Sequence, residues 1–216
     1  MKFLCLQYNL PNPLECLKLD PPPRSHFKEL VLTRVTAFHE QQLRHQAKEN
    51  SRMTYFNVSL IGLRGKQHPA LANINTSYDV KKSRIHLKMM TGDYLTYDIK
   101  SRQSGGSAWC RCCSLQAPET LTHIIVLCDS YTEIRSRFKS EYEELSRISD
   151  FDLKQIFKSD EEYCQFILDP TSMNLKSRIS YNDTNIDDWF KLSRDFCYSV
   201  NARRLSILKE MSLTKL

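Results

Sequence analysis

Glycine is scarce, with five residues in 216. The space between them holds long runs of helix-compatible sequence, so a mainly α fold is expected. Long apolar runs are missing too. No stretch approaches the roughly 18 apolar residues that a membrane span requires, and no membrane partner is expected. The opening run, Lys2 to Leu6, is cut short by Gln7, Tyr8, Asn9 and Pro11, too early for the core of a signal peptide. The sequence offers no phosphate-binding glycine loop, no Ser/His/Asp arrangement and no paired-carboxylate motif. His39, His45, His68 and His86 are scattered and read as surface or satisfied core. Enzymatic activity and a small-molecule substrate are therefore not expected. No internal repeat and no sustained heptad is visible.

What is present begins with charge. Hydrophobic content of 41% permits a core, and charged content of 26% argues against wholesale disorder. The net charge of +6 is uneven. Residues 1–108 hold 16 Lys/Arg against 8 Asp/Glu, and residues 129–216 hold 14 against 16. A basic front half fits a polyanion partner, RNA or DNA, as well as it fits ordinary solvated helices. Of eight cysteines, four cluster between 110 and 128. Cys5, Cys16, Cys164 and Cys197 read as buried free thiols. That usage places the chain in a reducing, intracellular compartment, without separating nucleus from cytoplasm.

The cluster has the order Cys-x2-Cys-x9-His-x4-Cys: Cys110, Cys113, His123 and Cys128. Three thiolates and an imidazole match the tetrahedral donor set of Zn2+. Cys112 is a spare thiol, which leaves Cys110/Cys112 as a less regular pair. A disulfide is the weaker rival, because an odd cysteine beside a histidine suits a metal better. Pro118 fits the first position of a short helix carrying His123. On an ideal α-helix Cys128 would lie roughly 140° further round than His123, so one ion can reach both only if the helix ends near Cys128. Ser130 and Glu133 have the spacing of a capping box for the next helix.

In chain order, residues 1–23, with five prolines, read as an arm or linker rather than a helix. A basic helical region spans 24–108. It opens with a long helix from Ser25 to about Asn50, followed by a short buried segment at Met53–Leu63. A second helix starts at Thr76, with Asp79 completing its capping box. The knuckle occupies 109–128 and a C-terminal helical region 129–216. In the latter, helices are expected at Tyr131–Ile148, Asp152–Phe157, Glu161–Leu168 and Asp183–Met211, with a loop at 171–182. Arg203-Arg204 would complement the dipole of the last helix.

Several of these pieces together resemble the C-terminal tail of non-LTR retrotransposon reverse transcriptases. The matching residues are Met89-Met90-Thr91-Gly92-Asp93-Tyr94, the Cys110/Cys113 pair, Pro118-Glu119-Thr120-Leu121 with His123, Cys128, Phe166 to Pro170, and Arg203-Arg204-Leu205 with Leu208. They span about residues 25–210. The resemblance implies a zinc-binding tail that holds RNA template or target DNA for a polymerase domain upstream. The polymerase's paired aspartates are not here, since the only Asp-Asp, Asp187-Asp188, falls in an expected helix.

Two functions follow. In the first, the knuckle binds nucleic acid. Trp109 stacks on an unpaired base, Arg111 projects beside it, and Lys81, Lys82, Arg84, Lys88, Lys100 and Arg102 track phosphates. In the second, zinc only staples a structural or protein-interaction module. Trp109 is then packed and the basic residues are dispersed.

Overall fold

The computed structural model describes residues 2–12, 14, 23–49, 53, 55–57, 60, 68–148, 158–172 and 183–213. It is mainly α, as expected. Seven α-helices are described: α1 Lys2–Gln7, α2 Arg24–Glu49, α3 Ser77–Met90, α4 Tyr97–Ser104, α5 Thr132–Ile148, α6 Asp160–Leu168 and α7 Asp183–Leu213. No strand occurs among the described residues, only one isolated bridge between Trp109 and Pro118. The expected helix at Asp152–Phe157, most of the 171–182 loop and Cys16 lie outside the described residues.

The chain divides into two compact units. The first comprises Met1–Asn50 with Val58–Lys66. Its opening is helical, contrary to the arm read from the prolines. The first proline is Pro11, so α1 ends before any residue that lacks an amide hydrogen. Tyr8 follows α1 and packs edge-on against Phe38 of α2, with ring centroids 5.1 Å apart. Cys5 is half-buried, not buried as expected.

The second unit comprises Ser51–Asn57 with Gln67–Leu216. Helix α3 starts where the sequence places it. The Thr76 hydroxyl accepts from the Asp79 amide, and the Asp79 carboxylate accepts from the Thr76 amide. α3 and α5 both pack on α7, whose Trp189, Phe190, Phe196 and Val200 are buried. Trp189 stacks on Tyr142 of α5 and meets Phe166 of α6 edge-on. Cys164 and Cys197 are fully buried free thiols, as expected.

Asp169 does more than close α6. Its buried carboxylate accepts from the Asn57 amide at 2.8 Å and the Thr171 amide at 3.0 Å, tying the 53–57 segment to the end of α6. One residue earlier, the Leu168 carbonyl accepts from His86 Nε2 at 2.7 Å. Nε2 therefore carries the hydrogen, and Nδ1 is buried without a partner.

Burial pushes the pKa of His86 down to about 4. Unfolded, the same imidazole titrates near 6.5, so between those values the unfolded chain holds a proton that the fold rejects. Stability present above pH 6.5 is lost as the pH falls through that window, by about 3 kcal/mol in all. Between pH 7 and 4.5, chemical denaturation of wild type should show roughly 2–3 kcal/mol more loss than His86→Gln. Equal losses would exclude this origin.

Candidate metal centre

The knuckle begins as a chain reversal closed by one isolated bridge. The Cys110 amide donates to the Ala117 carbonyl at 2.9 Å, and the Glu119 amide to the Ala108 carbonyl at 2.8 Å, on either side of the Trp109–Pro118 bridge. Gln116, at φ +46°, helps reverse the chain. Pro118 is thus part of this bridge and not the first residue of a helix. The helical turn opens at Leu121, and Thr120 caps it, its hydroxyl accepting from the His123 amide at 3.0 Å.

The geometric problem of His123 and Cys128 is solved by a change of helix. Residues His123–Leu127 form a π-turn, closed by the Cys128 amide on the His123 carbonyl at 2.7 Å. An i→i+5 ring is wider than an α-turn, so five residues complete roughly one circuit instead of overshooting it. Cys128 returns to the side of His123, and the chain then leaves through a 3-10 turn, Asp129–Tyr131, into α5. Ser130 does not act as the expected cap. Its hydroxyl donates to the Cys112 carbonyl and ties the two halves of the knuckle together.

The ligand atoms of Cys110, Cys113, His123 and Cys128 all lie within 4.8 Å of one another. The Sγ atoms of Cys110 and Cys128 are 4.0 Å apart, and Cys113 Sγ is 3.3 Å from His123 Nε2. A tetrahedral ion with metal–sulfur bonds of about 2.3 Å and metal–nitrogen bonds of about 2.0 Å demands sulfur–sulfur and sulfur–nitrogen edges of about 3.8 and about 3.5 Å. The cluster therefore fits a metal ion. The seven described cysteines are free, and a sulfur pair at 4.0 Å is no disulfide.

Cys112 belongs to a second group with Cys110 and Glu119. That group suits a metal poorly. Glu119 is buried and already accepts from Arg204 Nε at 3.0 Å, Arg204 Nη2 at 2.7 Å and the Tyr97 amide at 2.7 Å. Its neighbour Cys110 and burial push the Cys112 thiol well above its ordinary value.

Burial pushes the Cys113 thiol up and the His123 imidazole down, so without metal both groups are neutral at pH 7. Loading the site must expel thiol protons. The Cys128 carbonyl accepts from Arg135 Nη2 at 2.6 Å. This places a cation beside a centre that carries one net negative charge when three thiolates meet a divalent ion.

Outward-facing residues follow a period of two. Cys110 and Cys112 are buried, while Trp109 and Arg111 are exposed. Trp109 is 53% exposed. The Arg111 guanidinium lies 4.7 Å from the centre of the Tyr97 ring, and Lys100 Nζ lies 5.1 Å from the same ring. Lys81, Arg84 and Lys88 share the exposed side of α3. The other two expected phosphate contacts are engaged. Lys82 pairs with Asp195 at 2.6 Å, and Arg102 pairs with Asp98. Tyr97 and Arg135 escaped the sequence reading. The Tyr97/Lys100 spacing on one helix was a usable signal for the first, and nothing local marked the second.

Comparison with protein-family models, characterised proteins and solved structures returns no match.

Proposed function

We propose that this chain is a zinc-binding, non-catalytic module that holds RNA or DNA, of the kind that ends a retrotransposon reverse transcriptase. The observation that carries this reading is the two-sidedness of the knuckle. Its inner side converges four soft donors, and its outer side displays Trp109 and Arg111. Zinc is the ion that three sulfurs and one imidazole suit best. Cys110, Cys113, His123 and Cys128 would hold it, and bound zinc folds the loop. With four protein ligands, no coordination position is left for a reacting water, which supports a non-catalytic role. The chain's own residues supply the rest. Arg111 and Lys100 gather at Tyr97, and Lys81, Arg84 and Lys88 form a basic row on α3.

Because phosphate contacts dominate such binding, affinity should fall steeply with salt and depend little on sequence. Fluorescence anisotropy across a salt series is the test. The triple variant Lys81→Ala/Arg84→Ala/Lys88→Ala should lower the log–log salt slope by about 2 to 3, roughly 0.7–0.9 per lost contact. Lys82→Ala should change it less, because that ammonium is already paired. Salt-independent affinity, or no binding to any nucleic acid, would reject the reading.

One observation favours the alternative of a structural staple. Glu119 fastens the knuckle to α7 through the buried Arg204. In that case removing the metal destabilises the helices and the α3 variant changes nothing.

A further inference from the structure

The outer side of the knuckle carries a more specific ligand preference, which rests on the nucleic-acid reading above. Trp109 is pinned by backbone hydrogen bonds on both sides, from Cys110 to Ala117 and from Glu119 to Ala108. Its own amide donates to the Ser107 hydroxyl. An aromatic ring this large, held on a fixed backbone yet 53% exposed, is a preformed platform. Two residues on, Arg111 lies on the same outer side, with its guanidinium drawn over the Tyr97 ring. Lys100 approaches that ring as well. Neither Arg111 nor Lys100 has a carboxylate within ion-pair distance among the described residues. Of the nearby carboxylates, Glu119 is engaged by Arg204 and Asp98 by Arg102, while Asp129, which lines a shallow pocket with Arg111, accepts from the Ser114 hydroxyl. One exposed indole thus stands next to two uncompensated cations gathered at a single ring.

We infer that this face selects single-stranded nucleic acid, with Trp109 stacked on an unpaired base and Arg111 and Lys100 holding the adjoining phosphate. In a duplex both faces of each internal base are covered by its neighbours, so the indole finds no partner there. The two cations serve either form. Stacking on an aromatic side chain is sequence-tolerant, because every base offers a flat face. Selection is therefore by strandedness and not by sequence. RNA and DNA present the same base face and phosphate and are expected to share the site.

The test uses the full, zinc-loaded chain at one fixed salt concentration. The probes are a labelled 12-nucleotide single strand, as RNA and as DNA, and the blunt duplex of the same sequence. The single strand should bind at least tenfold more tightly than the duplex. Trp109→Ala should weaken single-strand binding by about five- to a hundredfold and leave duplex binding within twofold. Trp109→Phe should retain most of the preference. Arg111→Ala/Lys100→Ala should weaken both forms alike. The only other tryptophan, Trp189, is buried. Quenching of tryptophan emission on adding the single strand should therefore vanish in Trp109→Ala. Equal affinity for single strand and duplex, or equal loss of both in Trp109→Ala, overturns the inference and leaves nucleic-acid binding standing. No binding to any probe at low salt overturns both.

Discussion

Cys128→Ser is expected to yield a chain that purifies without stoichiometric metal and with an open knuckle. Cys128 sits where the π-turn ends, its sulfur fully buried 4.0 Å from that of Cys110. The hydroxyl that would replace it is a poor ligand for a soft tetrahedral site. Apparent binding free energies for structural zinc are about 10–16 kcal/mol. Even partial loss of that term exceeds what a knuckle of this size can recover from its own packing. Hydrogen exchange over residues 109–128 should rise towards unprotected rates. The helical signal should persist, because α5, α6 and α7 also pack on one another through Tyr142, Phe166 and Trp189, which are not among the four donors. Cys113→Ser should behave in the same way, and Cys112→Ser should keep its metal. A Cys112→Ser chain that loses zinc, beside a Cys113→Ser chain that retains it, would reassign the ligand.

The second large effect concerns Glu119. Glu119→Ala strips the partner from Arg204, a guanidinium 8% exposed at its side chain, while the carboxylate it loses is fully buried. The pair accounts for two hydrogen bonds, and the same carboxylate accepts from the Tyr97 amide at the start of α4. Breaking a buried pair from one side leaves an uncompensated charge and typically costs about 3–5 kcal/mol. Chemical denaturation of the metal-loaded protein should show a loss of that size. The double variant Glu119→Leu/Arg204→Met, which removes both charges, should recover most of it. A double variant as unstable as the single one would mean that the carboxylate acts mainly through Tyr97. Because Glu119 lies inside the knuckle and Arg204 on α7, the same variant should also loosen the metal site.

Much of this fold is written locally. The capping box at Thr76 and Asp79, the apolar period of the last helix and the stop at Asp169-Pro170 are short-range signals, and the chain obeys them. The four clustered donors were legible because a metal-type donor set imposes residue type and spacing together. The path between them was not. Pro118 suits a helix start as well as a bridge, and only pairing with Trp109 decides. A π-turn has no composition of its own, so nothing in His123–Leu127 announces it. Arg204 looked like a dipole partner because its true partner lies 85 residues away in sequence. Lys82 looked like a phosphate contact because its carboxylate, Asp195, is distant in sequence, whereas the Asp98–Arg102 pair, four residues apart on one helix, was within reach of a local reading. Long-range polar pairing was the layer that sequence could not reach.

X-ray absorption at the zinc edge of the purified full chain, with metal quantified on the same sample, tests the central claim most directly. One zinc per chain, with three sulfurs at about 2.3 Å and one nitrogen at about 2.0 Å, is the predicted result. A substoichiometric metal content, or a first shell of two sulfurs completed by oxygen, would contradict it.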